Sequence, residues 1–353
     1  MSLQTVLIDI AFFLFTALVV LVVSGNLKKS KLKSKNPPVG KMVDIGGYRL
    51  HIDCQGEGGP TVVFDAGQGE SGLSWSPIQQ EIARNTRVCV YDRAGIGWSE
   101  PGTRPRTARV MVEELHILLE KGGIPKPYVL VGASLGGLNA RLYAHLYPEE
   151  VAGLVLLDAA HEEQYLPEAV QKALKQMSGL MSLMAVYAVL MVRSGLAALF
   201  PRLIPGGSIS PAGSIDQVLR VSNASYMQAA VAEIKDVEHS HAEVREMEVA
   251  SLGHIPIIVI RHGKVQEQMM PDVTQVMEET NERLQSKVAQ QSENARLIVA
   301  EESGHAIQMD QPKLVVQAIM EVVEAVRAAR PYRPSMVGFP NGSKKIVPVQ
   351  EEG

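Results

Sequence analysis

A serine in the run Gly132-Ala133-Ser134-Leu135-Gly136 has the setting of a nucleophile. Tyr128-Val129-Leu130-Val131 before it reads as a strand, and Leu138 to His145 after it reads as a helix. A strand, a sharp Gly-x-Ser-x-Gly turn and a helix would push the hydroxyl up at the strand end. The helix N-terminus would then offer N–H groups to a developing oxyanion. The blander reading is that small residues pack a helix closely on a strand. A hydroxyl needs a base, and a base needs an acid to orient it. Ala295 to Ala300 reads as a late strand, and the loop Glu301-Glu302-Ser303-Gly304-His305 leads to a helix near Asp310-Gln311-Pro312. His305 is the expected base; otherwise it is a surface histidine with no task.

Two residues compete for the acid. Asp158 stands directly after the strand Gly153 to Leu157. The next strand, Pro256 to Ile260, runs into Arg261-His262-Gly263-Lys264-Val265, with Glu267 the nearest carboxylate. Asp158 is preferred because it sits at a strand end; its bland role would be to hydrogen-bond a neighbouring loop. For the oxyanion, Leu135 N–H follows the nucleophile, and Gln68 lies in the glycine-rich loop Asp65 to Gly72 after the strand Thr61 to Phe64. The alternative for that loop is an ordinary glycine-rich turn.

These stretches, with Tyr91 to Gly102, Val151 to His161 and Gly304 to Pro312, resemble the α/β-hydrolase superfamily from about Met42 to Arg330. The resemblance implies a doubly wound, mostly parallel sheet with a helical cap and serine chemistry. Three departures stand out. Ala66-Gly67 replaces the usual His-Gly before the oxyanion donor, Ala133 replaces a frequent histidine, and Val265 stands where an acid is usual. Some lipases of the superfamily carry their acid one strand earlier, in a context similar to Leu157-Asp158-Ala159. An aspartate nucleophile, as in dehalogenases and epoxide hydrolases of this fold, is disfavoured by Ser134.

The elements that must position these residues begin with a separate N-terminal module. Leu3 to Val23 is almost wholly apolar and long enough to span a bilayer. Lys28, Lys29, Lys31, Lys33 and Lys35 follow, and no positive side chain precedes the run. The order predicts an uncleaved single-pass membrane anchor over 1–25, with the catalytic domain cytoplasmic. The runner-up is a signal peptide cut near Gly25. A basic linker is expected over 26–41, containing Asn36-Pro37-Pro38, and the anchor is expected to supply location and not chemistry.

The core should occupy 42–162 and 253–330, split by a helical cap over 163–252. Met177 to Phe200 in that cap is unusually apolar. It reads as a buried cap helix, a methionine-lined acyl pocket or a lid on the bilayer; Arg193 and Gly195 weaken a second span. The Pro- and Gly-bearing tail, 331–353, is expected to be disordered.

At 353 residues and 46% hydrophobic content the chain can bury one large core plus an insert. A net charge of −4 gives no reason to expect nucleic acid as a partner. Cys54 and Cys89 are too few for a disulfide framework, and Cys89, inside Val88-Cys89-Val90, reads as a buried thiol. No Cys/His cluster has zinc spacing, and His239 and His241 lie in a charged helical stretch, so no metal and no cofactor is expected.

The expected function is a membrane-anchored serine hydrolase cleaving a carboxylic ester with an apolar, lipid-like acyl group. The alternatives are acyl transfer to an alcohol and a catalytically silent scaffold that binds a lipid or a protein. Oligomeric state is not legible.

Overall fold

Strand-forming runs that are apolar on every residue demand cover on both faces. The computed structural model, which describes residues 2–204, 214–249, 251–265 and 271–328, provides it. The strands are β1 (Lys41–Asp44), β2 (Arg49–Gln55), β3 (Thr61–Asp65), β4 (Val88–Tyr91), β5 (Tyr128–Ala133), β6 (Val151–Leu157), β7 (Ile257–His262) and β8 (Ala295–Ala300). They form one sheet in the order β1-β2-β4-β3-β5-β6-β7-β8. The hairpin β1–β2 joins it antiparallel, and β4 to β8 run parallel with β3.

The helices are α1 (Leu3–Lys35), α2 (Ser76–Ala83), α3 (Ala108–Lys121), α4 (Leu135–Leu146), α5 (Glu168–Arg193), α6 (Leu196–Leu199), α7 (Ile215–Ser222), α8 (Ala224–Lys235), α9 (Val237–Glu246), α10 (Pro271–Ala289), α11 (Ile307–Asp310) and α12 (Pro312–Arg327). Helices α3, α4 and α10 bury Met111, Leu115, Leu138, Leu142 and Val288 on one sheet face. Helices α2 and α12 bury Ile78, Ile82, Val315, Ile319 and Val322 on the other. Every parallel strand therefore points its C-terminal end at the same edge, where such folds place their ligands.

Two sequence expectations need correction. The stretch 26–35 is not a linker but the continuation of α1, which runs unbroken to Lys35. Its residues are lysine, serine, leucine and asparagine with no glycine or proline after Gly25, so nothing stops the helix before Pro37 and Pro38. Cys89 is no free thiol either. Antiparallel pairing of β2 with β4 sets it opposite Cys54, and the two form a disulfide. Their separation of 35 residues says nothing about that register.

Leu3 to Val23 is helical and uncovered by the rest of the chain, and it is long and apolar enough to cross a membrane. Its C-terminal continuation packs on the cap. Gly25 meets Gly195 so closely that a Cβ on either would collide with the other's backbone. Asn26 Nδ2 donates to Ser194 O (2.9 Å) and Lys29 Nζ to Val192 O (3.2 Å), capping the C-terminal end of α5.

Helices α5 to α9 make the cap. Helix α5 buries only Val170, Ala173, Ala188 and Val192, and turns Leu180, Met181, Leu183, Met184, Val186, Tyr187 and Leu190 outward. The reading of a buried cap helix is thus overturned. Its alternation of long apolar residues around all sides is what misled the sequence reading. The tail over 331–353 lies outside the described residues.

Candidate active site

The serine elbow forms because its neighbours are small. A Cβ at Gly132 would strike the backbone of Gly136, and one at Gly136 would strike the carbonyl of Asp65. Ser134 itself takes φ of 50°, a left-handed conformation that a non-glycine residue holds only when its surroundings impose it. Those surroundings are backbone bonds: Ser134 N–H donates to Leu157 O (3.0 Å), and Ser134 O accepts from Ala160 N–H (2.8 Å) and Gly137 N–H (2.9 Å). Leu135 is the first residue of α4, where an N–H has no acceptor within the helix.

Asp158 follows β6 and is also left-handed, with φ of 42°, fixed by its N–H on Ile260 O (2.7 Å). It is buried. One oxygen, Oδ2, faces two imidazoles: His305 Nδ1 at a very short separation and His262 Nδ1 at 2.8 Å. The other, Oδ1, accepts from Asn281 Nδ2 (2.9 Å). His262 Nε2 in turn meets Glu278 Oε2 of α10 at 2.8 Å. A chain Glu278–His262–Asp158–His305 results.

Its electrostatics follow from these contacts. Burial alone would push the Asp158 carboxyl up, but hydrogen bonds from His262 and His305, and their charge, hold it well below the usual range. The hydrogen bond to Asp158 raises His262 to about 9 against the opposing effect of burial, with Glu278 adding to the rise. His305 is raised by the same carboxylate and lowered by burial and by the positive charge of His262. The ligand atoms of Asp158, His262 and His305 lie within 4.8 Å of one another, close enough for a metal ion. With both Nδ1 atoms directed at one carboxylate oxygen, the cluster has the geometry of shared protons.

Gln68 sits in a loop held from two sides. Arg93, fully inside, donates to Asp65 Oδ1 (2.7 Å), Ala66 O (2.7 Å) and Gly67 O (2.6 Å). Glu233 of cap helix α8 pairs with Arg93 Nε (2.7 Å) and accepts from Gly69 N–H (2.7 Å). Arg220 of α7 donates to Gly69 O (3.0 Å). Both peptide groups flanking Gln68 are thereby tied down, one set of ties coming from the cap.

Ser134, Asp158, His305 and Gln68 line one cavity of about 350 Å³, together with His262, Tyr165, Met277 and Asn281. Four of the five residues expected from sequence thus meet there, and Leu135 adjoins it through Ser134. Glu267 lies outside the described residues. The cavity's methionine is Met277 of α10; Met181 and Met184 are exposed on α5 and do not line it. His241 is buried against Tyr165 and His239 is exposed, so the two do not converge.

Residues 60–187 match a family model described as alpha/beta hydrolase fold. The chain has the α/β-hydrolase fold. It is 26% identical to YqjL of Bacillus subtilis over 80% of this chain and 91% of that one. It is 33% identical to a protein called probable transporter efuK, of Hormonema carpetanum, over 35% of this chain but only 19% of that protein. A thermophilic esterase from Thermogutta terrifontis superposes with a TM-score of 0.54 at 23% identity, covering 81% of this chain and 98% of the esterase. Within this α/β-hydrolase fold, β7 ends in His262, with Gly263 directly after it, close to where an acid is usual. Sequence reasoning missed His262 and Glu278. The only signal was a histidine at a strand end beside the strand of Asp158.

Proposed function

We propose that this α/β hydrolase is a membrane-anchored serine hydrolase that cleaves carboxylic esters of apolar acids through an acyl-enzyme. The observation that carries the reading is the strained Ser134 sharing a cavity with His305, whose Nδ1 is engaged by Asp158. His305 Nε2 is then the nitrogen left to take the Ser134 proton. Ser134 Oγ attacks the ester carbon, and the oxyanion is met by the Leu135 and Gln68 N–H groups. The carbonyl re-forms as the alcohol departs with the proton from His305. Water, deprotonated by His305, then releases the acid and restores Ser134. The apolar helix ahead of Gly25 supports attachment to a bilayer, and the outward apolar face of α5 supports a substrate that partitions there.

A fluorophosphonate probe tests the nucleophile. It should label the wild type and leave Ser134→Ala unlabelled; equal labelling of both removes the serine reading.

A pH profile tests the role of His262. The His262→Asn variant keeps a donor toward Asp158 and removes a positive charge next to His305. Loss of that charge favours protonation of His305. The acid limb of kcat/KM should move to higher pH by up to about one unit, equivalent to about 1.4 kcal/mol. A limb that stays in place or moves down would mean that His262 does not act on the base.

A further inference from the structure

Helix α5 has two unlike sides. Ala188 and Val192 pack into the cap with Ala197, Ile204 and Leu32 of α1. Leu180, Leu183, Met184, Tyr187 and Leu190 recur every three or four residues on another face, and all are exposed. Phe200 and Leu203, just past α6, are exposed as well. Among the described residues, more than half of the exposed large apolar side chains outside α1 fall between Leu180 and Leu203. So concentrated a patch marks a surface that is covered in use. Its position says by what. Leu190 O accepts from Ser194 N–H (2.9 Å), and Ser194 O accepts from Asn26 Nδ2 (2.9 Å). The patch therefore ends one helical turn from the point where α1 passes from its uncovered apolar stretch into the cap. The charges agree. No acidic residue occurs from Ile10 to Val43 or from Ala169 to Ile215, whereas Lys172, Lys175, Arg193, Arg202 and the lysines of α1 flank the two apolar stretches. Phosphate head groups complement that positive excess, while a second copy docked symmetrically would set like charges together.

We propose that this face of α5 lies in the bilayer leaflet from which α1 emerges near Gly25, so that the cap is a second membrane contact and not only a cover for the site. The inference rests on the membrane attachment of α1 proposed above. The helix cannot cross the bilayer freely, because Ala188 and Val192 are committed to the cap. It lies along the head-group boundary instead, with its leucines, Met184 and Tyr187 among the acyl chains and Lys172, Lys175 and Arg193 reaching to phosphates. Helix α5 begins just past Gln164 and Tyr165, which line the cavity of Ser134. Docking thus carries the catalytic cavity to the lipid surface and fixes its orientation there.

The test uses the full chain, one copy per lipid nanodisc of phosphatidylcholine and phosphatidylserine, with and without bromine on the acyl chains. Bromine quenches a tryptophan only at close range. Phe15→Trp reports on α1 and Tyr187→Trp on α5, while Glu81→Trp, at an exposed position of α2, is the reference. The wild type supplies the background of Trp75 and Trp98. Tyr187→Trp should be quenched several-fold more than Glu81→Trp, and adding Leu183→Asp with Leu190→Asp should remove most of that difference. Quenching that the added pair leaves unchanged overturns the proposal. Quenching of Phe15→Trp with Tyr187→Trp at the reference level overturns it too, and leaves the anchoring reading intact. If neither is quenched, the anchoring reading falls as well. Shielding of Tyr187→Trp that needs two chains in one disc means that a second copy covers the face, and again overturns the proposal.

Discussion

The Asp158→Asn variant should turn over an ester about 10⁴-fold more slowly than the wild type, the loss that follows when a triad carboxylate becomes an amide. The geometry makes the reason specific. A carboxylate oxygen accepts from both His262 and His305, whereas an amide presents one acceptor and one donor. If its NH₂ turns to His305, the imidazole must take the wrong tautomer, and Nε2 no longer accepts the Ser134 proton. If its oxygen turns there instead, the negative charge that favours imidazolium formation is still gone. Steady-state kcat measures the effect, with the thermal midpoint showing that the fold survives. Glu267→Gln, by contrast, should change kcat by less than tenfold. The opposite ranking of the two variants would transfer the acid's role to Glu267.

The second large effect is expected at Glu233, on stability and turnover together. The Glu233→Ala change removes one partner of an ion pair in which both side chains are almost fully buried. Breaking such a pair costs about 3–5 kcal/mol, because the remaining charge stays desolvated. Asp65 still faces Arg93, so the lower end of that range is the expected value. The same change frees Gly69 N–H and with it the peptide that orients Gln68. Loss of an aligned oxyanion donor typically costs 10²- to 10³-fold in kcat. Denaturant midpoints and kcat should therefore fall together, with Glu233→Gln milder on both. A variant with wild-type midpoint and turnover would show that the cap does not hold the oxyanion loop.

Much of the site could be read from the chain because its signals are local. The glycines around Ser134 and the strand before it lie within ten residues, and Asp158 and His305 each sit just past an apolar run. What escaped detection depends on which strands become neighbours. His262 matters because β7 lies beside β6, which brings it to Asp158 from 104 residues away. Glu278 reaches it only from the following helix. Arg93 and Glu233 are 140 residues apart and meet only because the cap folds back over β3 and β4. Cys54 and Cys89 illustrate the same point with covalent consequences, since their encounter is a matter of antiparallel register. The outward face of α5 failed for a different reason: composition reports how apolar a helix is, not which side finds a partner.

The close contact of Gly25 with Gly195 changes where this protein can be divided. Leu32 packs against the cluster of Val192, Ala197 and Ile204, and Asn26 and Lys29 cap the end of α5. Residues 25–35 therefore belong to the folded body, although their composition reads as a tether. A cut after Lys35 would strip a wall from the cap and uncover apolar side chains, while a cut ahead of Gly25 leaves the body whole. The border between the uncovered apolar stretch and the folded body falls inside a single unbroken helix.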